Sequence, residues 1–306
     1  MTLIKQNIPL ASKTSFRVGG VAQFFAGPQS EADIAEAIFW ARDRDIPVFT
    51  LGGGSNILIS DLGWRGLVLD LSGFSEIKRN KDFIECRSGT LAHDLVIEMA
   101  NSGLSGIEDL AGIPGSIGGA VVMNAGAFGQ NISDCLSWVT GIDLKTGTTW
   151  KKTKEEIDFG YRWSSLKDCD QLIVHVAFSF KKGTKGEVKA RCREILNKRK
   201  EKQPLGFPNC GSVFKRPKGE YAGNLIEKAG LKGARVGGVV VSEKHANFFQ
   251  NIANATARDV RELVVMVQKA VHKESGILLE PELIFVGEFG LPLFNPEEGS
   301  QPKKKF

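Results

Sequence analysis

The sequence predicts an α+β protein divided into two units, and three observations carry that reading. The chain has 306 residues, about two domains at roughly 150 residues each. Short strand-like runs are interspersed with a few amphipathic helices, and no repeat of 20–50 residues is visible. A polar, glycine-containing connection at Lys181–Glu187 separates the two parts, giving units over 12–182 and 195–288 and a tail, 289–306, expected to be disordered.

The elements follow in order. Ser30 can cap a first helix, Asp33 strengthens the cap, and Ile34, Ala37, Ile38 and Ala41 share one face before Pro47 ends the segment. A strand over Val48–Leu51 runs into Gly52-Gly53-Gly54-Ser55-Asn56, and β-like runs follow at Ile57–Ile59 and Gly66–Asp70. A helix over Leu91–Asn101 stops at Gly103. Ile173–Phe180 reads as a half-buried strand with Val174, Val176, Phe178 and Phe180 inward. After the connection comes a basic amphipathic segment, Val188–Lys202, with Val188, Cys192, Ile195 and Leu196 on one face and Lys198, Arg199 and Lys200 on a solvated one. Thr256 caps a helix over Ala257–Lys273 whose stripe is Val260, Leu263, Val264, Val267 and Val271. A final strand is expected over Leu278–Val286.

Bulk properties mostly exclude. A net charge of +5 is too weak to argue for nucleic acid and suits an anionic small molecule equally well. No apolar run approaches the roughly 18 residues that span a bilayer, so no membrane role is expected. Met1–Leu10 has one lysine and no long apolar core, so no secretory signal is read. The five cysteines, Cys86, Cys135, Cys169, Cys192 and Cys210, form neither metal-ligand spacing nor a disulfide framework. They read as reduced thiols, with no metal, in a cytoplasmic protein.

Glycine is the exception. Thirty-five are present, against about 21 at the usual ~7%. The surplus gathers in two clusters: Gly52–Asn56, and Gly112-Ile113-Pro114-Gly115-Ser116-Ile117-Gly118-Gly119-Ala120 continuing to Asn124-Ala125-Gly126-Ala127. Bare backbone lets N–H groups converge on phosphate oxygens, and neighbouring Ser and Asn add donors. Neither cluster is a Walker loop, and neither reads Gly-x-Gly-x-x-Gly opening a long helix. Each alone also reads as a tight turn between short strands. Together they suit a diphosphate gripped from two sides.

Eight ordered blocks then carry a resemblance. They are the two glycine loops with Thr14–Gly20, Phe159–Arg162, Asn209–Lys215, Leu225–Gly233, His245–Phe248 and Leu279–Glu282. Over roughly residues 10–288 the chain resembles the UDP-N-acetylenolpyruvoylglucosamine reductase (MurB) family. Only Tyr161 and Tyr221 are tyrosines, and none lies between Arg162 and Ser212, so the resemblance is to the shorter second subclass. It implies an FAD-binding domain of the vanillyl-alcohol-oxidase (PCMH) type plus a C-terminal α+β substrate-binding domain. It also implies a monomeric oxidoreductase of peptidoglycan precursor synthesis that uses NADPH and a sugar nucleotide.

The resemblance assigns roles residue by residue. Non-covalent FAD would lie against Gly52, Gly53, Gly54, Ser55, Asn56, Gly112, Pro114, Gly115, Ser116, Gly118, Gly119, Asn124 and Gly126. Arg162 would hold the substrate carboxylate, Ser212 would donate a proton and Glu282 would assist the developing enolate. Alone, these three read as a surface arginine, a turn serine and a strand carboxylate, and Glu280 shares a face with Glu282. Tyr161, Lys202, Lys215, Arg216, Asn224 and His245 would contact substrate. His245 reads equally as a structural histidine, and Arg216 stands where the family's common motif has Asn.

Overall fold

The structure, a computed structural model, describes residues 4–167 and 169–296. Its first sheet orders Lys5–Pro9, Val21–Ala26, Trp64–Asp70 and Val48–Leu51, with the first pair antiparallel and the others parallel. Helix α1 (Glu31–Arg42) covers it. The expected cap is present in both directions: Ser30 Oγ accepts from Asp33 N at 3.1 Å, and Asp33 Oδ2 accepts from Ser30 N at 3.0 Å. Ile34, Ala37, Ile38 and Ala41 are buried against Ala26, Leu67 and Leu69.

A second, antiparallel sheet orders Thr149–Thr153, Leu136–Asp143, Gln171–Phe178, Ile84–Arg87 and Ile77–Arg79. Its middle strand, Gln171–Phe178, is buried on both faces, not the expected one. Leu172 and Val174 enter the core under α1, whereas Val176 and Phe178 enter a second core formed with α2 (Ala92–Ser102), α3 (Ile117–Val122) and α4 (Lys185–Lys202). A strand between two layers has no solvent face to keep polar.

Four other expectations change. The connection is ordered: Lys181–Lys182 pairs with Leu104–Ser105, and Thr184 Oγ1 caps α4 by accepting from Glu187 N. Val188, Cys192 and Ile195 of α4 lie in the core of the first unit while Leu196 stays exposed. We therefore propose that the division between the units falls after α4, not ahead of it. Arg199 is also buried, because positions 188, 192, 195 and 199 continue one helical stripe. Finally, the expected strand over Leu278–Val286 is regular only at Ile284–Val286, since Pro281 has no N–H for a ladder.

The C-terminal unit packs α5 (Ala222–Lys228) and α6 (Ala257–Ser275) with a sheet of Arg235–Val236, Val239–Val241 and Phe249–Asn251. The predicted stripe of α6 is wholly buried, each aliphatic side chain contributing roughly 1.5–3 kcal/mol. Phe16, Val18 and Leu58 of the first unit enter this same core. Ile284–Val286 pairs in parallel with Ile57–Ile59, directly after the first glycine loop. Part of the expected tail is also packed. Leu291 O accepts from Arg261 Nε, Phe294 N donates to Gln268 Oε1, and Phe289 and Leu293 lie on the C-terminal core. The remainder of that tail, 297–306, lies outside the described residues. Among the described residues, no helix is long and apolar enough to cross a membrane.

Candidate active site

The two glycine loops meet. Ser55 Oγ donates to Pro114 O at 3.2 Å. A Cβ on Gly53 would stand 2.6 Å from Gly115 Cα, so only bare backbone permits the approach. The glycines thus bring the loops together first, and the N–H groups they expose come second. A cavity of about 630 Å³ flanks the first loop, walled by Gly53, the Ser12–Arg17 segment and Leu205–Pro208.

Beyond the loops stands an ion pair. Arg162 Nε donates to Glu282 Oε1 at 2.7 Å, with side chains 23% and 12% exposed. Arg162 is the second turn residue of a hairpin, Phe159–Gly160 with Trp163–Ser164, and has φ +54°. A non-glycine residue held there is strained, and such strain gathers at functional sites. Its guanidinium lies 5.1 Å from the Tyr161 ring centroid. Burial pushes the Glu282 carboxyl above the usual range, while Arg162 and Lys215 pull it back.

Glu282 is placed by its neighbours in the sheet-like C-terminal unit. Its N–H donates to Val213 O at 2.8 Å, Phe214 bridges Pro281, and Ser212 bridges Phe248. Ser212 therefore lies on the segment adjoining Glu282, one residue from the carbonyl that holds it. It follows Gly211, at φ +77°, whose N–H is taken by Asn209 Oδ1. Asn247 fixes the same segment, accepting from Phe214 N at 3.0 Å and donating to Phe214 O at 2.8 Å. Lys215 pairs with Glu280, the second carboxylate of that face.

The substrate candidates divide. Tyr161 Oη accepts from Arg216 N at 3.2 Å, and the Arg216 guanidinium stacks 4.0 Å from the Tyr221 ring. Those groups, with Lys215, adjoin the ion pair. Lys202 ends α4 on an exposed face and Asn224 is exposed on α5; among the described residues neither bonds to the cluster. His245 fills a structural place. Its Nδ1 accepts from Asn247 N at 3.3 Å, its ring meets Phe248 edge-on at 4.8 Å, and burial lowers its pKa.

Sequence reasoning missed Arg199. It is 8% exposed, its Nε and Nη2 have no partner among the described residues, and it lies against Gly112 of the second loop. Burial and the charge of Arg162 lower its pKa. The signal was its place on the α4 stripe, hidden inside a basic run. Asn124 Oδ1 and Ser88 Oγ, beside this loop, are also buried and without a partner among the described residues. A cation, an acceptor and a hydroxyl without partners fit a flavin dinucleotide, which offers oxygens, ring nitrogens and an imide N–H.

Comparison with known proteins agrees with this construction. A family model described as an FAD binding domain matches residues 22–152. Fold and site together define a flavin-binding oxidoreductase of the PCMH-type architecture. A second family model, the C-terminal domain of UDP-N-acetylenolpyruvoylglucosamine reductase, matches residues 203–286. The UDP-N-acetylenolpyruvoylglucosamine reductase of Clostridium botulinum (strain Alaska E43 / Type E3) is 41% identical over 287 residues, 94% of each chain. That of Caldicellulosiruptor bescii is 39% identical over 293 residues, 95% of this chain and 93% of its own. The crystal structure of MurB from Thermus caldophilus matches with a TM-score of 0.81 at 34% identity, covering 94% of this chain and 100% of that one. The chain belongs to the UDP-N-acetylenolpyruvoylglucosamine reductase (MurB) family.

Proposed function

We propose that this protein reduces the enolpyruvyl ether of UDP-N-acetylglucosamine enolpyruvate to the lactyl ether of UDP-N-acetylmuramate, with non-covalent FAD and with NADPH as reductant. The observation that carries the reading is the half-buried Arg162–Glu282 pair, held on a strained turn beside two converging glycine loops. The loops, with Arg199 and Asn124, would hold FAD, which when bound supplies hydride to the terminal carbon of the double bond.

The chain's own residues handle the charge and the proton. Arg162 uses Nε on Glu282, which leaves its two terminal nitrogens for the substrate carboxylate. Their charge opposes the negative charge that spreads from that carboxylate to the adjacent carbon. Glu282, whose carboxyl is pushed up by burial, keeps a proton to higher pH than an exposed carboxylate and can share it with the same oxygens. Ser212 Oγ would deliver the proton to the carbon beside the carboxylate; a hydroxyl is a weak acid, but an enolate is a strong base. Tyr161, Lys215 and Arg216 would receive the sugar nucleotide, with Lys202 and Asn224 farther out. We read the protein as a cytoplasmic monomer, which light scattering would check.

The experiment separates two half-reactions without oxygen. Ser212→Ala should still let NADPH bleach the flavin, whereas reoxidation by the enolpyruvyl substrate should slow about 10²–10⁴-fold. Normal reoxidation would show that another group gives the proton.

A further inference from the structure

Each glycine cluster carries an asparagine: Asn56 reaches the main chain of Glu282, and Asn124 reaches the hairpin that carries Arg162. Asn56, closing the first loop, donates from Nδ2 to Glu282 O at 3.2 Å, and its own carbonyl accepts from Ile284 N at 3.0 Å. Asn124, in the second cluster, donates from Nδ2 to Gly160 O at 3.0 Å, two residues before Arg162. A further tie runs from the same hairpin to the same cluster, as Ser164 Oγ donates to Val122 O at 2.8 Å. The bonds close a ring: first loop, Asn56, Glu282, Arg162, the hairpin, Asn124, second loop, and back through Ser55 to Pro114.

We infer that Asn56 and Asn124 are positioning residues that register the Arg162–Glu282 pair against the two loops, so that the loops which hold the cofactor also fix where the substrate carboxylate is held. The inference rests on the function proposed above. Four features support it. Both tethers end on main-chain carbonyls, which move with the backbone of the residues they place. Asn124 is buried and itself has φ +43°, so the position uses an asparagine where a left-handed conformation and a side-chain donor are needed together. Its Oδ1 is buried and without a partner among the described residues, so the amide that grips the hairpin keeps an acceptor for a donor on the bound cofactor. Arg162 sits on an unfavourable turn that relaxes unless its surroundings hold it.

The test uses the FAD-loaded protein carrying Asn124→Gly, which tolerates the left-handed backbone, and Asn56→Ala. Both residues lie in the loops that would hold the cofactor, so rates are taken per bound flavin, and reduction of that flavin by NADPH is the reference against which reoxidation is read. Reoxidation by the enolpyruvyl substrate should slow at least tenfold in each, as expected when a catalytic group is displaced by about 1 Å. The double variant should be little worse than the poorer single, because one restraint has two anchors. The pH profile supplies a readout that general loosening would not move. Glu282 faces Arg162, Lys215, Lys167 and the thiol of Cys210, and Arg162 is the nearest cation. Letting Arg162 drift leaves burial less opposed, so the limb governed by Glu282 should move to higher pH. Hydrogen exchange across 159–164 should quicken tenfold or more in Asn124→Gly. Should either variant lose its flavin, Asn56→Asp and Asn124→Asp keep the side-chain shape and an acceptor while replacing the amide donor with a carboxylate oxygen, and the hairpin of the latter should exchange as fast as that of Asn124→Gly. Native exchange, pH profile and reoxidation in these variants would overturn the inference. A native protein that bound no FAD would instead refute the proposed function, and the exchange data would still report on the tether.

Discussion

Two arginines lie buried on the inner faces of long helices, each 8% exposed, and they are furnished in opposite ways. Arg261 of α6 donates Nε to Leu291 O at 2.9 Å and stacks 4.1 Å and 5.5 Å from the rings of Phe285 and Phe289. Its burial lowers its pKa, yet its Nε has an acceptor inside the chain and its guanidinium packs on two rings. Arg199 of α4 lies over the Phe128 ring, 5.6 Å from its centroid, and two of its nitrogens have no acceptor among the described residues. An uncompensated buried cation is tolerated only where it gains something later. Burial alone therefore does not mark a functional charge; unmet demand beside a concave loop does.

Replacing each arginine breaks or sharpens this contrast most directly. Arg261→Leu should destabilise the protein by about 2–4 kcal/mol, since Leu291 O loses its donor and two rings lose a cation, while FAD content stays native. Arg199→Leu should have the opposite profile: thermal stability of the cofactor-free protein equal to native or higher by about 1–2 kcal/mol, and FAD or substrate binding weakened about 10–100-fold. Denaturation curves paired with flavin titrations would measure both. If Arg199→Leu lost as much stability as Arg261→Leu and kept its ligands, the two arginines would be equivalent.

Glu282 is an intermediate case, a buried charge with a partner whose carboxyl is nonetheless raised, chiefly by desolvation. The folded state then holds the proton more tightly than the unfolded chain does. Stability must fall as pH rises from the ordinary carboxylate range through the raised value, and level off above it. Glu282→Gln has no such decline. The melting temperature of the variant minus that of the native protein should become more positive across that window, and a flat difference would show that Arg162 fully offsets the burial.

The smallest effect concerns the glycines. An added Cβ at Gly53 meets backbone at 2.6 Å, whereas at Gly119 it meets only Ser116 Oγ at 3.5 Å. Gly53→Ala should force the loops apart and lower both stability and flavin content. Gly119→Ala, inside α3, should shift stability by no more than about 1 kcal/mol. Any larger effect at Gly119 should appear in flavin affinity, since that is where the space beside it would be used.

Much of this was legible before the fold was known. The helices α1, α2 and α6 announce themselves by caps and apolar spacing, and the two loops by glycine with Ser and Asn. Family resemblance pointed to Arg162 and Glu282, which the fold brings within 2.7 Å. Arg199 was not read because local charge says surface, and only the packing of α4 against the first unit overrides it. The order of residues 289–296 was missed because Phe289, Leu291 and Phe294 depend on partners in α6 that no local pattern announces. The tethers of Asn56 and Asn124 were equally hidden, as each joins residues distant in sequence.

The parallel pairing of Ile284–Val286 with Ile57–Ile59 has a consequence in time. Asn56 and the backbone of Glu282 are 226 residues apart, so a ribosome must release all the chain between them before they can meet. Contacts of such separation form late and slowly. A nascent chain can build its first sheet and both glycine loops while its Arg162 still lacks Glu282. Competence to handle the substrate carboxylate would then arrive last, with the strand that stitches the end of the protein to its beginning.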